Sequence, residues 1–162
     1  MQPKDKLREI AMRQAGFFTA AQATAAGYPD SLHVYHTREG HWEKVYRGIY
    51  RLADAPRIEH PELVVWSLWS RNRNGAPQLV YSHETAEMIL GLRPWTPGPL
   101  HATVPRSFRK NCAVPKELIL HKEDIPPEEI EWREGFAVRR PIGSPPRVFK
   151  AAYDRAIAAG ED

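Results

Sequence analysis

The chain has 162 residues, 42% of them apolar and 27% charged, with a formal net charge of +3 and a single cysteine. That length suits one core or two small domains, and that apolar share excludes wholesale disorder. No apolar run approaches the ~20 residues of a membrane helix, and the lone Cys112 excludes an internal disulfide.

The N-terminus, MQPKDKLREIAMRQ, is charged and amphipathic, unlike a secretion signal, so a cytoplasmic protein is expected. Charge is uneven along the chain. Residues 1–55 carry eight Lys/Arg against six Asp/Glu, 56–120 carry eight against five, and 121–162 carry seven against nine. The positive potential lies in the first three quarters, an arrangement compatible with a polyanionic partner.

Residues 4–15 read as a helix with Leu7, Ile10, Ala11 and Gln14 on one face, ended by Gly16. The apolar pair Phe17-Phe18 anchors the connection that follows. Thr19 and Gln22 then stand three apart ahead of an AQATAA run, which is the spacing of a capping box. Gly27 stops that short helix and Tyr28-Pro29-Asp30 turns the chain. A third helix is predicted over 32–39, with Asp30 or Ser31 as its cap. Next, GHWEKVYRGIYRL at 40–52 alternates apolar and polar residues on both sides of Tyr46-Arg47-Gly48 and predicts a β-hairpin. Two short helices around a Gly-containing turn, followed by a hairpin, make a winged helix-turn-helix domain over 1–55.

The segment at 53–56, Ala-Asp-Ala-Pro, reads as a boundary. Thirteen of the fifteen prolines lie beyond residue 55, so short elements joined by rigid turns are expected there. A helix is predicted over 61–72 with Pro61 in its first turn, then a strand at 78–81. Another short helix begins at Ser82 and ends near Gly91, with Ala86, Ile89 and Leu90 inward. Strands are predicted at 101–104, 117–121, 131–133 and 136–139, the last two joined at Glu134-Gly135, and a final helix over 147–159. The fold class is therefore α+β, a winged helix-turn-helix over 1–55 followed by a small mixed α/β domain over 56–162.

A helix of about 10–12 Å diameter fits a major groove of about 12 Å, and the side chains at its N-terminal end meet base edges. In the third helix Leu32 and Tyr35 are three apart and expected to face the core. Ser31, His33, Val34 and Arg38 remain for the groove. Ser31 and His33 supply donors, Val34 an apolar contact for a thymine methyl, and Arg38 a phosphate contact. Thr19, with the amides that open the second helix, is a further phosphate candidate, and Lys44 and Arg47 on the hairpin are cations for the neighbouring backbone. The helix has no Asn or Gln for a bidentate adenine contact, so backbone contacts and DNA shape carry much of the specificity. The alternative is a winged-helix module that binds protein and no specific DNA.

Enzyme readings find little support. His33 and His36 lie three apart with His41 nearby, but no HExxH or second close pair completes a metal set, and His36 reads better as packing against the hairpin. Ser82-His83-Glu84 are adjacent, whereas a triad is assembled from separate segments, so Ser82, Glu84 and Thr85 read as helix capping. Cys112 has Arg109 and Lys110 nearby but no partner base, and is expected to be a small buried residue. No phosphate-cradling glycine loop occurs. We expect no catalytic site, metal or cofactor. Arg106, Arg109 and Lys110 around Phe108 form a candidate basic patch for a partner, or a solvated loop between Pro105 and Pro115.

Three phrases carry a resemblance: GFFTAAQATAAGY, YHTREGHWEKVYRGIYRL and LVYSHETAEMILGL. They resemble the AbiEi-type antitoxins, transcriptional regulators of bacterial type IV toxin–antitoxin systems. In that family a GxFTxxQA phrase opens the helix-turn-helix, RGxYRL closes the wing, and SHxTAxxxxGL opens the second domain. Here they fall at 16–23, 47–52 and 82–92. LHATVPR at 100–106 looks like an extended family strand, and VRRPIGSPPRVF resembles the lead into the last helix. The likeness runs from about residue 5 to 150 and is strongest in the first 55. It implies double-stranded DNA at the protein's own promoter as partner, repression of its own operon, and a C-terminal domain that counteracts a nucleotidyltransferase-like toxin without a stable complex being required.

Overall fold

A computed structural model describes residues 1–110 and 112–141. Helix α1 spans Pro3–Met12, and Pro3 sits in the first turn, where a missing N–H leaves no bond unmade. Leu7 and Ala11 are buried, and Ile10 and Gln14 are half-buried. At Gly16 φ is +94°, and a Cβ there would stand 2.5 Å from the Cβ of Ala55. Only glycine fits that crossing.

Phe17–Thr19 forms strand β1 rather than a plain connector. A three-residue strand is too short to show alternation, which is why its sequence reads only as an apolar pair. Helix α2 is Ala20–Ala26, ended by Gly27, and its capping box is present: Thr19 Oγ1 accepts from the Gln22 amide at 3.1 Å, and Gln22 Oε1 accepts from the Thr19 amide at 2.9 Å. Helix α3 covers Asp30–Arg38, starting ahead of the expected Leu32, with Pro29 as N-cap and no side-chain cap from Asp30 or Ser31. Strands β2, Trp42–Tyr46, and β3, Ile49–Leu52, complete the hairpin.

The sheet order is β1-β3-β2, all antiparallel, so β3 is central. Pleating sends Phe18, Trp42, Tyr50 and Leu52 to the side of α1–α3. Phe17, Ile49 and Arg51 point the other way, where helix α4, Glu62–Trp69, packs on β1 and β3. Every residue of 63–69 is buried, so α4 has no solvent face. The buried Arg51 donates to the carbonyls of Leu52 and Ala55 and pairs with Glu43 at 3.4 Å, which fastens the chain where it leaves the hairpin.

Two compact units result: Met1–Pro77 with Glu134–Phe136, and Gln78–Arg133 with the chain from Ala137. Residues 56–77, expected beyond a boundary at 55/56, lie with the first unit because α4 covers the second face of its sheet.

In the second unit β4 is Val80–Tyr81, α5 is His83–Ile89, β5 is Leu100–Val104, β6 is Leu118–Lys122, β7 is Ile130–Arg133 and β8 is Phe136–Arg139. The order β6-β5-β4-β8-β7 is mixed: β4 runs antiparallel to β5 and parallel to β8, and β5 runs parallel to β6. Leu79, Tyr81, Ala102, Val104 and Val138 are buried, and α5 packs on β5. Each expected strand is found, β7 and β8 meet at Glu134-Gly135, and the fold is α+β as anticipated. The helix predicted over 147–159 lies outside the described residues. Two side chains differ from expectation. Cys112 is exposed in the loop ahead of Pro115. Ser82 caps no backbone amide; its hydroxyl bonds Thr103 Oγ1 and His83 Nδ1, each at 2.8 Å, and Thr85 Oγ1 accepts from the His101 amide at 2.7 Å.

Candidate nucleic-acid interface

The orientation of α3 reverses the expected one. His33 is buried at 5% exposure, whereas Leu32 and Tyr35 are 39% and 41% exposed. His33, His36 and Thr37, at i, i+3 and i+4, face inward. Trp42 at the base of the hairpin explains this. His36 stacks on it at 4.9 Å and 24°, His33 lies 5.5 Å away, and Phe18 and Tyr28 meet it edge-on. The inward polar atoms are satisfied as well. His33 Nε2 donates to the Tyr28 carbonyl at 2.7 Å, and the Thr37 hydroxyl donates to the His33 carbonyl at 2.8 Å. A flat, half-polar ring on an aromatic hub with its N–H bonded costs less to bury than counting apolar residues implies.

The outward stripe is Ser31, Val34, Tyr35 and Arg38, spaced i, i+3, i+4, i+7, with Leu32 beside it. Of the expected base readers, Ser31, Val34 and Arg38 are exposed. His33 is withdrawn, because its ring is enclosed and its Nε2–H is committed. Thr19 is withdrawn as a phosphate ligand for the same reason: it is 3% exposed and its hydroxyl serves the capping box.

The hairpin is shorter and better anchored than a free finger. A two-residue turn, Arg47-Gly48, joins Tyr46 to Ile49, and Gly48 takes φ +71°, the hand a type II turn needs at that position. The Ala20 amide donates to the Gly48 carbonyl at 2.9 Å, and the Tyr46 ring meets Trp66 edge-on at 5.0 Å. Both expected cations are exposed. Lys44 lies opposite Tyr50, on the same pleat face as Trp42, and Tyr50 sits 6.2 Å from the His33 ring. Alternation thus sets Lys44 on the sheet face that carries Trp42. Arg8, Arg13, Arg51 and Arg57 of this unit each rest on a carboxylate. Among the described residues Arg38, Lys44 and Arg47 pair with none.

His36 and His41 face each other with Nδ1 atoms 2.9 Å apart. Burial, then His41 and His33, hold the His36 pKa below the usual histidine value. A second cluster was not legible in the sequence. His83, His101 and His121 come from α5, β5 and β6. The His83 and His121 rings stack at 3.9 Å, and His101 Nδ1 lies 3.0 Å from His121 Nε2. Burial first, then His83 and His101, lower the His121 pKa. The signal lies in register, since β5 and β6 pair His101 with Ile119 and Thr103 with His121, one pleat apart. Among the described residues no His, Cys, Asp and Glu set is arranged to hold a metal ion.

Phe108 is buried, the Arg109 guanidinium folds back onto the Phe108 carbonyl at 3.0 Å, and the Asp124 carboxylate accepts from the Arg106 amide at 3.1 Å. Arg106 and Arg109 are exposed and Lys110 is half-buried. No described helix is long and apolar enough to cross a membrane.

Three helices, α1, the short capped α2 and α3, with a three-stranded sheet ending in a hairpin define a winged helix-turn-helix fold. Residues 5–53 match the family described as "Transcriptional regulator, AbiEi antitoxin", so the chain carries a domain of that regulator family at its N-terminus. No curated protein matches the chain.

Proposed function

We propose that the protein is a DNA-binding transcriptional regulator of the antitoxin type, which represses its own operon from an operator in the promoter. The observation that carries this reading is the pairing of an exposed α3 stripe with Arg38, Lys44 and Arg47. Among the described residues no carboxylate pairs with these three cations, as with Lys4, Lys6 and Arg73 of the same unit, whereas Arg8 and Arg13 each have a carboxylate and Arg51 and Arg57 share Glu43. In this reading α3 enters the major groove with Ser31 and Val34 at base edges, Arg38 reaches a phosphate, and Lys44 and Arg47 hold the flanking backbone. The second unit counteracts a nucleotidyltransferase-like toxin, and Arg106, Arg109 and Lys110 are its candidate contact with an acidic surface. The matched family is one of regulators and antitoxins, and the role proposed here is binding rather than catalysis.

The test is binding of the full chain to the duplex upstream of its own gene across a salt series. Lys44→Ala with Arg47→Ala should weaken binding and reduce the slope of log K against log salt by about 0.9 for each phosphate that is no longer neutralised. An unchanged slope and affinity would remove the hairpin from the DNA. Absence of binding at low salt would favour the winged helix as a protein-interaction module.

A further inference from the structure

The exposed half of α3 is apolar in its middle, the Tyr35 hydroxyl apart, and polar at its ends. Val34 is 65% exposed, Leu32 and Tyr35 stand out beside it, and Val45 of β2 is also exposed. Ser31 opens the stripe and Arg38 closes it, about 10 Å further along at 1.5 Å per residue. Asp30, almost fully solvated at the first turn, and Glu39 beyond the last are the acids near this face. A groove-reading helix usually presents amides and guanidinium groups to base edges. Here the two aromatic-seated histidines take the inward positions and push three apolar side chains to the outside. In the major groove the C5-methyl of thymine is the one methyl group that the base edges present.

We infer that α3 discriminates bases chiefly by apolar contact of Val34, Leu32 and Tyr35 with thymine methyl groups. This rests on the DNA-binding reading above and specifies what that site selects: duplexes with clustered thymines in the major-groove face that α3 meets. Duplex DNA is favoured over a protein partner as occupant because the stripe ends in Arg38 and the hairpin of the same unit exposes Lys44 and Arg47, cations without a carboxylate partner among the described residues. Such a frame complements a polyanion. Hydrogen-bond readout then falls to Ser31 at the entry, to the Tyr35 hydroxyl and to Asp30, which as a carboxylate accepts from a cytosine amine.

The experiment compares two versions of the duplex region that the full chain protects upstream of its own gene, one with thymine and one with uracil at every such position. Uracil keeps the hydrogen-bonding edge and deletes only the methyl. The wild type should bind the uracil duplex about tenfold more weakly or worse, a difference of about 1.4 kcal/mol. In Val34→Ala, whose change is on the surface and whose thermal midpoint verifies the fold, that preference should shrink to about twofold or less. Equal affinity of the wild type for both duplexes would overturn the inference while leaving DNA binding intact. Failure to bind either duplex would overturn both. A Val34→Ala protein that keeps its full thymine preference but changes its sedimentation would assign the stripe to a protein contact instead.

Discussion

The molecule has two histidine clusters, and they are built in opposite ways. His33 and His36 are set against Trp42, Tyr28 and Tyr50, with His33 committed to a carbonyl. His83, His101 and His121 lean on one another at the edge of the second sheet, with Ser82 and Thr103 bonded beside them and Lys122 and Glu123 following His121 in the chain. In the first cluster the imidazoles act as core spacers whose polar atoms are answered, so they stand where leucines would and turn the apolar residues of α3 outward. In the second, three titratable rings crowd each other without an aromatic hub. The same side chain packs on an aromatic hub in one place and on other imidazoles in the other.

The largest test of that contrast is Trp42→Ala. Removing the hub should cost about 3–5 kcal/mol, a large share of the roughly 5–15 kcal/mol that holds an ordinary domain folded, and thermal or urea unfolding would register it. Next in size, His33→Ala leaves the Tyr28 carbonyl without its donor and opens space beside Trp42, with an expected loss of about 1–3 kcal/mol in the same measurement. The counterpart His121→Ala, at a half-buried site with no hub, should stay within about 0.5 kcal/mol at neutral pH. Comparable costs for His33 and His121 would erase the distinction.

The smallest effect is on pH dependence, where the two clusters should agree in sign. His36 and His121 both have pKa values depressed below the usual 6.5. Below that value the unfolded chain binds more protons than the folded one, so stability present above about pH 6.5 is lost as pH falls. Unfolding midpoints measured from about pH 7.5 to about pH 5 should decline. His121→Asn should flatten the decline in the second unit and His36→Asn in the first. A decline untouched by either change would place its origin elsewhere.

Much of the first unit was readable because its signals are local. The Thr19/Gln22 box, the Gly27 stop, the Arg47-Gly48 turn and the Glu134-Gly135 step between β7 and β8 all depend on neighbours within a few residues. Gly16 was read as a helix end, but its nearness to Ala55 appears only when the chain returns. Strand β1 was hidden by brevity, and the role of α4 by distance. Its buried sequence, Leu63 to Trp69, shows an apolar helix without saying which face of which sheet it covers.

The candidate interface divides in the same way. Sequence alone determined that a helix with Ser31, Val34 and Arg38 follows a turn, that Lys44 and Arg47 sit on a hairpin, and that residues 16–52 carry the family phrases. Tertiary structure alone decided which half of α3 is hidden. That choice depends on Trp42, Tyr50 and the Tyr28 carbonyl, groups from other elements that lower the cost of enclosing His33 below the gain from enclosing Leu32. A periodicity read along one helix contains its own residues but not the partners they will meet, and burial is settled by those partners.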